Sequence, residues 1–232
     1  MTVSAVAIVL AAGSGERLGE PVPKAFVPVG GRPMLVHAVR AAMACPQIGS
    51  VVVAAPWGQE DLAHAMLEQV GPHAVVTGGE SRQVSVRAAL AAVPAEVEAV
   101  VCHDAARCLA SAALFDAVLE ALDGADGADG AIPVLPVPDT VKRVRDGIVL
   151  ETVDRSELGL AQTPQAFRLI ALRDAHARAE REGVEGTDDA MLLELAGYRV
   201  VAVAGEVGNF KVTTAQDLAR ADRILTEVPA GD

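Results

Sequence analysis

Arg17 and Lys24 follow a glycine-rich break, Gly13-Ser14-Gly15, that ends the apolar run AIVLAA. Backbone amides in such a loop can hold a phosphate chain. Two fixed cations beside it can neutralise the charge that builds during transfer at phosphorus. Two other uses of the glycines fail on particular residues. A dinucleotide fingerprint needs a small residue where Leu18 stands and a carboxylate at the end of the second strand, which here closes Ala55-Pro56. A Walker-type phosphate loop needs GK[ST], which is absent. The alternative left open is a surface loop with two solvated cations.

Other stretches carry residue types of the same chemistry. VCHDAAR (Val101–Arg107) places Asp104 at the carboxyl end of a predicted strand. A single carboxylate there suits Mg²⁺, which takes one or two protein oxygens and fills its shell with phosphates and water. The planar fork of Arg107 suits a phosphate monoester. GGESRQVSV (Gly78–Val86) joins a short strand to a helix, so Ser85 and the preceding turn offer hydrogen-bonding groups near a helix N-terminus. Of 19 basic residues only Lys24, Lys142 and Lys211 are lysine. In a chain that otherwise uses arginine, each lysine is a marked choice.

The elements that must position these residues alternate. Strands are predicted at Val3–Leu10, Ser50–Ala55, Ala74–Val76, Ala99–Cys102, Ala131–Leu135 and Tyr198–Val203. Helices are predicted at Met34–Ala44, Gln59–Val70, Val84–Ala92, Ala112–Leu122, Leu169–Glu182, Asp188–Leu195 and Ala215–Leu225. The rhythm predicts an α/β fold: a Rossmann-like, mainly parallel sheet with helices on both faces and ligands at the carboxyl rim. It fails between about 136 and 159, where two charged β-like runs flank Asp146-Gly147, a hairpin signal. That segment reads as a projecting arm, suited to packing on another subunit. Residues 1–232 otherwise read as one domain.

Composition narrows the class. Apolar residues at 51% and charged residues at 22% describe a globular chain, and a net charge of −12 repels nucleic acid and anionic membranes. No apolar run reaches the ~20 residues of a membrane span. Cys45, Cys102 and Cys108 show no CxxC spacing and read as free thiols, and the N-terminus lacks a basic leader, so the expectation is a cytoplasmic protein.

The block from Leu10 to Phe26 resembles the nucleotidyltransferase signature LAAGxGxRxGxxxPKxF, and motifs spread along nearly the whole chain resemble the 2-C-methyl-D-erythritol 4-phosphate cytidylyltransferase family. They are GGESRQVSV, HDAAR, Asp139-Thr140-Val141-Lys142, Thr152-Val153-Asp154-Arg155, Thr163-Pro164-Gln165, TDDA (Thr187–Ala190) and Asn209-Phe210-Lys211-Val212-Thr213. The resemblance implies transfer of CMP from CTP to methylerythritol phosphate with release of pyrophosphate, and Mg²⁺ held on Asp104. It implies catalytic roles for Arg17 and Lys24. Nucleotide contacts would come from Ala11, Ala12, Gly13, Ser14, Gly15, Gly79, Glu80, Ser85 and Lys211. Acceptor contacts would come from Asp104, Arg107, Thr140, Arg155 and Thr163, with Thr140 and Arg155 reaching a dimer partner through the arm. A cytidylyltransferase for ribitol 5-phosphate shares much of this framework and is the rival. His103 is expected to be structural, because an acceptor phosphate is already ionised and needs no base. TDDA is expected to cap a helix. Two residues depart from the family pattern. Cys108 replaces a proline, which is expected to loosen the turn and expose a thiol. Gly208 replaces an aspartate, leaving the metal to Asp104 and phosphates or to a substitute such as Glu206.

Overall fold

The computed structural model describes residues 5–13, 22–124 and 127–227. Strand β1 (Ala5–Leu10) shows why the sheet is covered on both sides. Ala5, Ala7 and Val9 enter one apolar cluster, while Val6 and Ile8 enter another on the opposite face. The same division runs through β4 (Ile48–Ala55), with Val51 and Val53 against Val52, and through β6 (Ala99–Asp104), with Val101 against Val100 and Cys102. Strands apolar on both faces need helices on both faces, as the alternation predicted.

One layer comprises α1 (Met34–Met43), α2 (Glu60–Leu67) and α4 (Ala112–Gly124), whose Leu35, Leu67 and Phe115 are fully buried. The other comprises α3 (Arg82–Ala91), α5 (Leu169–Glu182) and α6 (Asp189–Leu195), which bury Val86, Leu172 and Leu193. Each such side chain contributes roughly 1.5–3 kcal/mol relative to exposure.

The sheet also contains β5 (His73–Thr77), β7 (Gly130–Pro136), β10 (Gly159–Ala161), β11 (Gln165–Arg168) and β12 (Val200–Ala204). Its order is β10-β7-β11-β6-β1-β4-β5, with β12 pairing β7. β1, β4, β5 and β6 are parallel neighbours, and β12 runs parallel to β7. β11 and β10 run antiparallel to their neighbours, so the sheet is mostly parallel with two reversed strands. β11 is absent from the sequence-based reading. It has four residues, one of them a buried glutamine, and so carries no periodic signal.

The hairpin lies where the rhythm fails. Among the described residues, β8 (Val141–Arg145) and β9 (Ile148–Val153) pair only with each other, through a turn at Asp146-Gly147 where φ is 51° and 78°. Two consecutive positive φ values fit the tight turn that an Asp-Gly pair favours. A short hairpin, β2 (Pro28–Val29) with β3 (Arg32–Pro33), and the C-terminal helix α7 (Ala215–Glu227) share a third apolar cluster beside the carboxyl rim.

Candidate active site

The carboxyl ends of β1, β6 and β5 open onto a cleft of about 670 Å³. Leu10 and Asp104 are register partners at the ends of adjacent parallel strands, and the chain leaves both at the same rim. Ala11, Ala12 and Gly13 line the cleft where β1 ends. Lys24 reaches it from a single 3₁₀ turn, Lys24–Phe26, anchored by the buried Ala25 and Phe26. Gly79, Glu80, Ser85 and Lys211 also line the cleft, with the turn at Gly78 packed against Ala12.

The turn before α3 is built for close approach. A Cβ on Gly78 would lie 2.4 Å from Ala12 Cβ, and one on Gly79 would lie 2.1 Å from Val84 Cγ1, so neither position admits a side chain. Ser81 caps α3 by accepting from the Val84 amide at 3.2 Å. Ser85 Oγ accepts from the Gly79 amide at 3.0 Å and donates to the Ser81 carbonyl at 2.9 Å. The serine thus fixes the turn and keeps one acceptor lone pair unspent.

Asp104 is the electrostatic centre. Its Oδ1 accepts from Arg82 Nε at 3.2 Å and its Oδ2 from Lys211 Nζ at 2.7 Å. Burial pushes its pKa up, but Arg82 and Lys211 outweigh burial and hold the carboxyl well below the usual range. Asp104 therefore stays ionised across the working pH range. Arg82 is itself anchored from behind, donating from Nη1 to Asp189 at 2.7 Å. Asp189 is 1% exposed and also meets His176 Nε2 at 2.9 Å.

His103 is fully buried, tilted against Phe115, with Nδ1 at 3.1 Å from Thr163 Oγ1. Burial lowers its pKa to about 4, so it is neutral and structural, as expected. The hydroxyl of Thr163 also accepts from the Asp104 amide at 3.0 Å. Thr163 is 5% exposed and does not line the cleft; here its hydroxyl holds the end of β6 in place. Arg107 is likewise turned into structure, with Nη1 donating to the Asn209 carbonyl at 2.8 Å, although its buried Nε has no partner among the described residues. Thr140 and Arg155 sit on the arm, exposed and outside this chain's cleft, and Arg155 donates to the Pro138 carbonyl. Ser14, Gly15 and Arg17 lie outside the described residues.

Two expectations are corrected. The Cys108 thiol is not exposed: Cys108 is 4% accessible, packs with Val27, Met34 and Val212 in the third cluster, and burial raises its pKa to about 11. A small apolar thiol fills a core site that reading the turn alone could not anticipate. Glu206 does not stand in for the missing aspartate, because its carboxylate accepts from the amide and hydroxyl of Ser111 at the start of α4. Asp188 does cap α6 as expected, accepting from the Met191 amide at 2.9 Å.

Sequence reasoning missed Arg82, Asp189, Gln162 and Asn209. Arg82 and Asp189 appear in quoted motifs, but their pairing spans 107 residues and no local pattern reveals it.

The sequence matches the family described as 2-C-methyl-D-erythritol 4-phosphate cytidylyltransferase (IspD) over residues 5–227. The enzyme of that name from Parasynechococcus marenigrum is 41% identical over 220 residues, covering 94% of this chain and 96% of that protein. The chain belongs to this family. A bifunctional IspD/IspF enzyme from Clavibacter michiganensis is 47% identical over 224 residues, and the chain spans 53% of its length. The crystal structure of the cytidylyltransferase from Thermus thermophilus superposes with a TM-score of 0.79 at 37% identity, covering 97% of this chain and 99% of that one. A structure from Anaerococcus prevotii, described as a 4-diphosphocytidyl-2C-methyl-D-erythritol synthase, gives a TM-score of 0.84 at 29% identity. The α/β architecture is thus that of IspD structures, which share its mostly parallel sheet.

Proposed function

We infer that this chain transfers CMP from CTP to 2-C-methyl-D-erythritol 4-phosphate, releasing pyrophosphate and forming 4-diphosphocytidyl-2-C-methyl-D-erythritol for isoprenoid synthesis. The observation that carries the reading is the convergence of Lys24, Lys211 and Asp104 on one cleft with the Gly79–Ser85 turn, in a chain of the IspD family. An oxygen of the acceptor phosphate attacks the α-phosphorus in line with the departing pyrophosphate. No base is required, so catalysis consists of positioning and charge neutralisation. Lys24, with Arg17, neutralises the pentacoordinate transition state. The unspent lone pair of Ser85 Oγ and the backbone of the Gly79-Glu80 turn read the cytosine edge, since its exocyclic amine is a donor where uracil presents an acceptor.

The residues fit Mg²⁺. Asp104 is ionised at the cleft, and no group of three His, Cys, Asp or Glu converges among the described residues. One carboxylate suits a metal carried mainly by substrate phosphates. Asp104 would hold it, and the bound ion would offset phosphate charge.

The chain acts as a homodimer through its arm, in our reading. Val144, Ile148, Val149 and Leu150 are exposed on a hairpin that has no partner strand among the described residues beyond itself. Thr140 and Arg155 contact the acceptor in the partner's cleft. A cytoplasmic location is supported by three buried free cysteines. No helix among the described residues is long and apolar enough to cross a membrane.

The test is pyrophosphate release from CTP and Mg²⁺ with methylerythritol phosphate or ribitol 5-phosphate as acceptor. Release with methylerythritol phosphate alone is expected. Release with ribitol 5-phosphate alone would keep the cleft chemistry and overturn the acceptor, and silence with both would overturn the reading.

A further inference from the structure

We propose that Gln162 is a positioning residue for Lys211, acting through the loop that runs from Gly205 to Val212. The inference deepens the function proposed above and rests on it for the role of Lys211. Gln162 follows β10 directly and is 4% exposed. Its own amide donates to the Pro133 carbonyl in β7 at 2.8 Å, so its backbone belongs to the sheet.

The side chain faces the loop with all its hydrogen-bonding capacity engaged. Nε2 donates to the carbonyls of Glu206 at 2.9 Å and Asn209 at 3.2 Å. Oε1 accepts from the Glu206 amide at 3.0 Å and from Asn209 Nδ2 at 3.4 Å. A primary amide has two donors and two acceptor lone pairs, and all four go to one loop. The approach is close enough that a Cβ on Gly205 would lie 2.7 Å from Oε1.

Asn209, itself fully buried, extends the clamp by donating to the Thr163 carbonyl at 2.9 Å. On the far side of Lys211, the Val212 amide donates to the Ala106 carbonyl at 2.8 Å. Lys211 is held between these two attachments. Its side chain is 41% exposed, so burial does not immobilise it, yet Nζ reaches Asp104 at 2.7 Å. The backbone beneath it must supply the precision. An apolar side chain at 162 would fill the same space but would leave the Glu206 amide unpaired and strip one partner each from the Glu206 and Asn209 carbonyls, loosening the loop's path.

The test is a double-mutant cycle: Gln162→Leu in the natural background and in Lys211→Ala, read as kcat and KM for pyrophosphate release, with hydrogen exchange over residues 206–212 alongside. Two residues that act as a unit are non-additive. Expected is a loss of about tenfold in kcat/KM when Lys211 is present and less than about twofold when it is absent, with loop exchange about tenfold faster. If the leucine variant does not fold, Gln162→Glu carries the same cycle, since it keeps the shape and turns the donor into an acceptor facing two carbonyls. Equal losses in both backgrounds, or no loss, would overturn the proposal. Hydrogen exchange reads the clamp without relying on turnover. Unchanged exchange would therefore overturn the clamp, whereas an inactive natural enzyme with a loosened loop in the variant would count against the assigned reaction instead.

Discussion

The cleft and the arm are built on opposite principles. In the cleft, the central charges are supported from behind: Asp104 from Arg82, Lys211 and Thr163, Arg82 from Asp189, and Asp189 from His176. In the arm, the side-chain partners are local. Lys142 donates to Thr152 at 2.6 Å, Arg143 pairs with Glu151, and Arg155 bonds Pro138, all among exposed residues. Such surface pairs contribute little to stability. Among the described residues, Thr140 and Arg155 of the arm do not line their own chain's cleft, in keeping with the proposal that they act in a partner's.

The sharpest break should come at Lys24. Replacing it with alanine removes a preorganised cation from the transition state, and turnover should fall by ~100-fold or more with the melting temperature nearly unchanged. Single-turnover kinetics would check this, and near-normal turnover would remove Lys24 from the chemistry.

The buried support of the cleft should be visible in pH dependence, where the exposed arm should not be. His103 has a folded pKa of about 4 against 6.5 unfolded, so the unfolded chain binds more protons between those values. Stability should be full above about pH 6.5 and fall as pH drops toward 4, by up to roughly 3 kcal/mol from this residue. Denaturant titrations at pH 7 and 4.5 would measure the fall, and His103→Asn should flatten it. An equal pH slope in the variant would contradict this account of the interior.

The arm should break differently. Val149→Asp places a charge on its exposed apolar strip, and should shift the chain toward monomer in sizing chromatography and lower activity about tenfold with the fold intact. An active monomer would refute the division of labour. The smallest effect is expected at the turn proposed to read the base. Gly79→Ala forces the turn away from Val84 and should raise KM for CTP several-fold while changing kcat little.

Much of this contrast can be read from the sequence. The runs in β1 and β4 are apolar on both faces, which only two helical layers can cover. Asp146-Gly147 between charged β-like runs marks a solvent-facing hairpin. Lys24, Asp104, Gly79 and Lys211 stand in motifs whose chemistry is local. The supporting residues are not legible, because their meaning lies in contacts across the fold: Arg82 with Asp189, and Gln162 with Asn209. Cys108 misleads for a similar reason. Its setting is decided by a cluster that includes Met34, Val212 and Ala221, far from it in sequence.

The most direct measurement of the division between cleft and arm is subunit complementation between Lys24→Ala and Arg155→Ala chains. Each variant alone should be nearly inactive. Co-expressed in equal amounts, they should recover about one quarter of natural activity, because half the dimers are mixed and each mixed dimer holds one intact cleft facing one intact arm. Recovery near that level would establish that one chain's arm completes the other's site. No recovery, with mixed dimers demonstrably present, would contradict the account and place Arg155 in its own chain's chemistry.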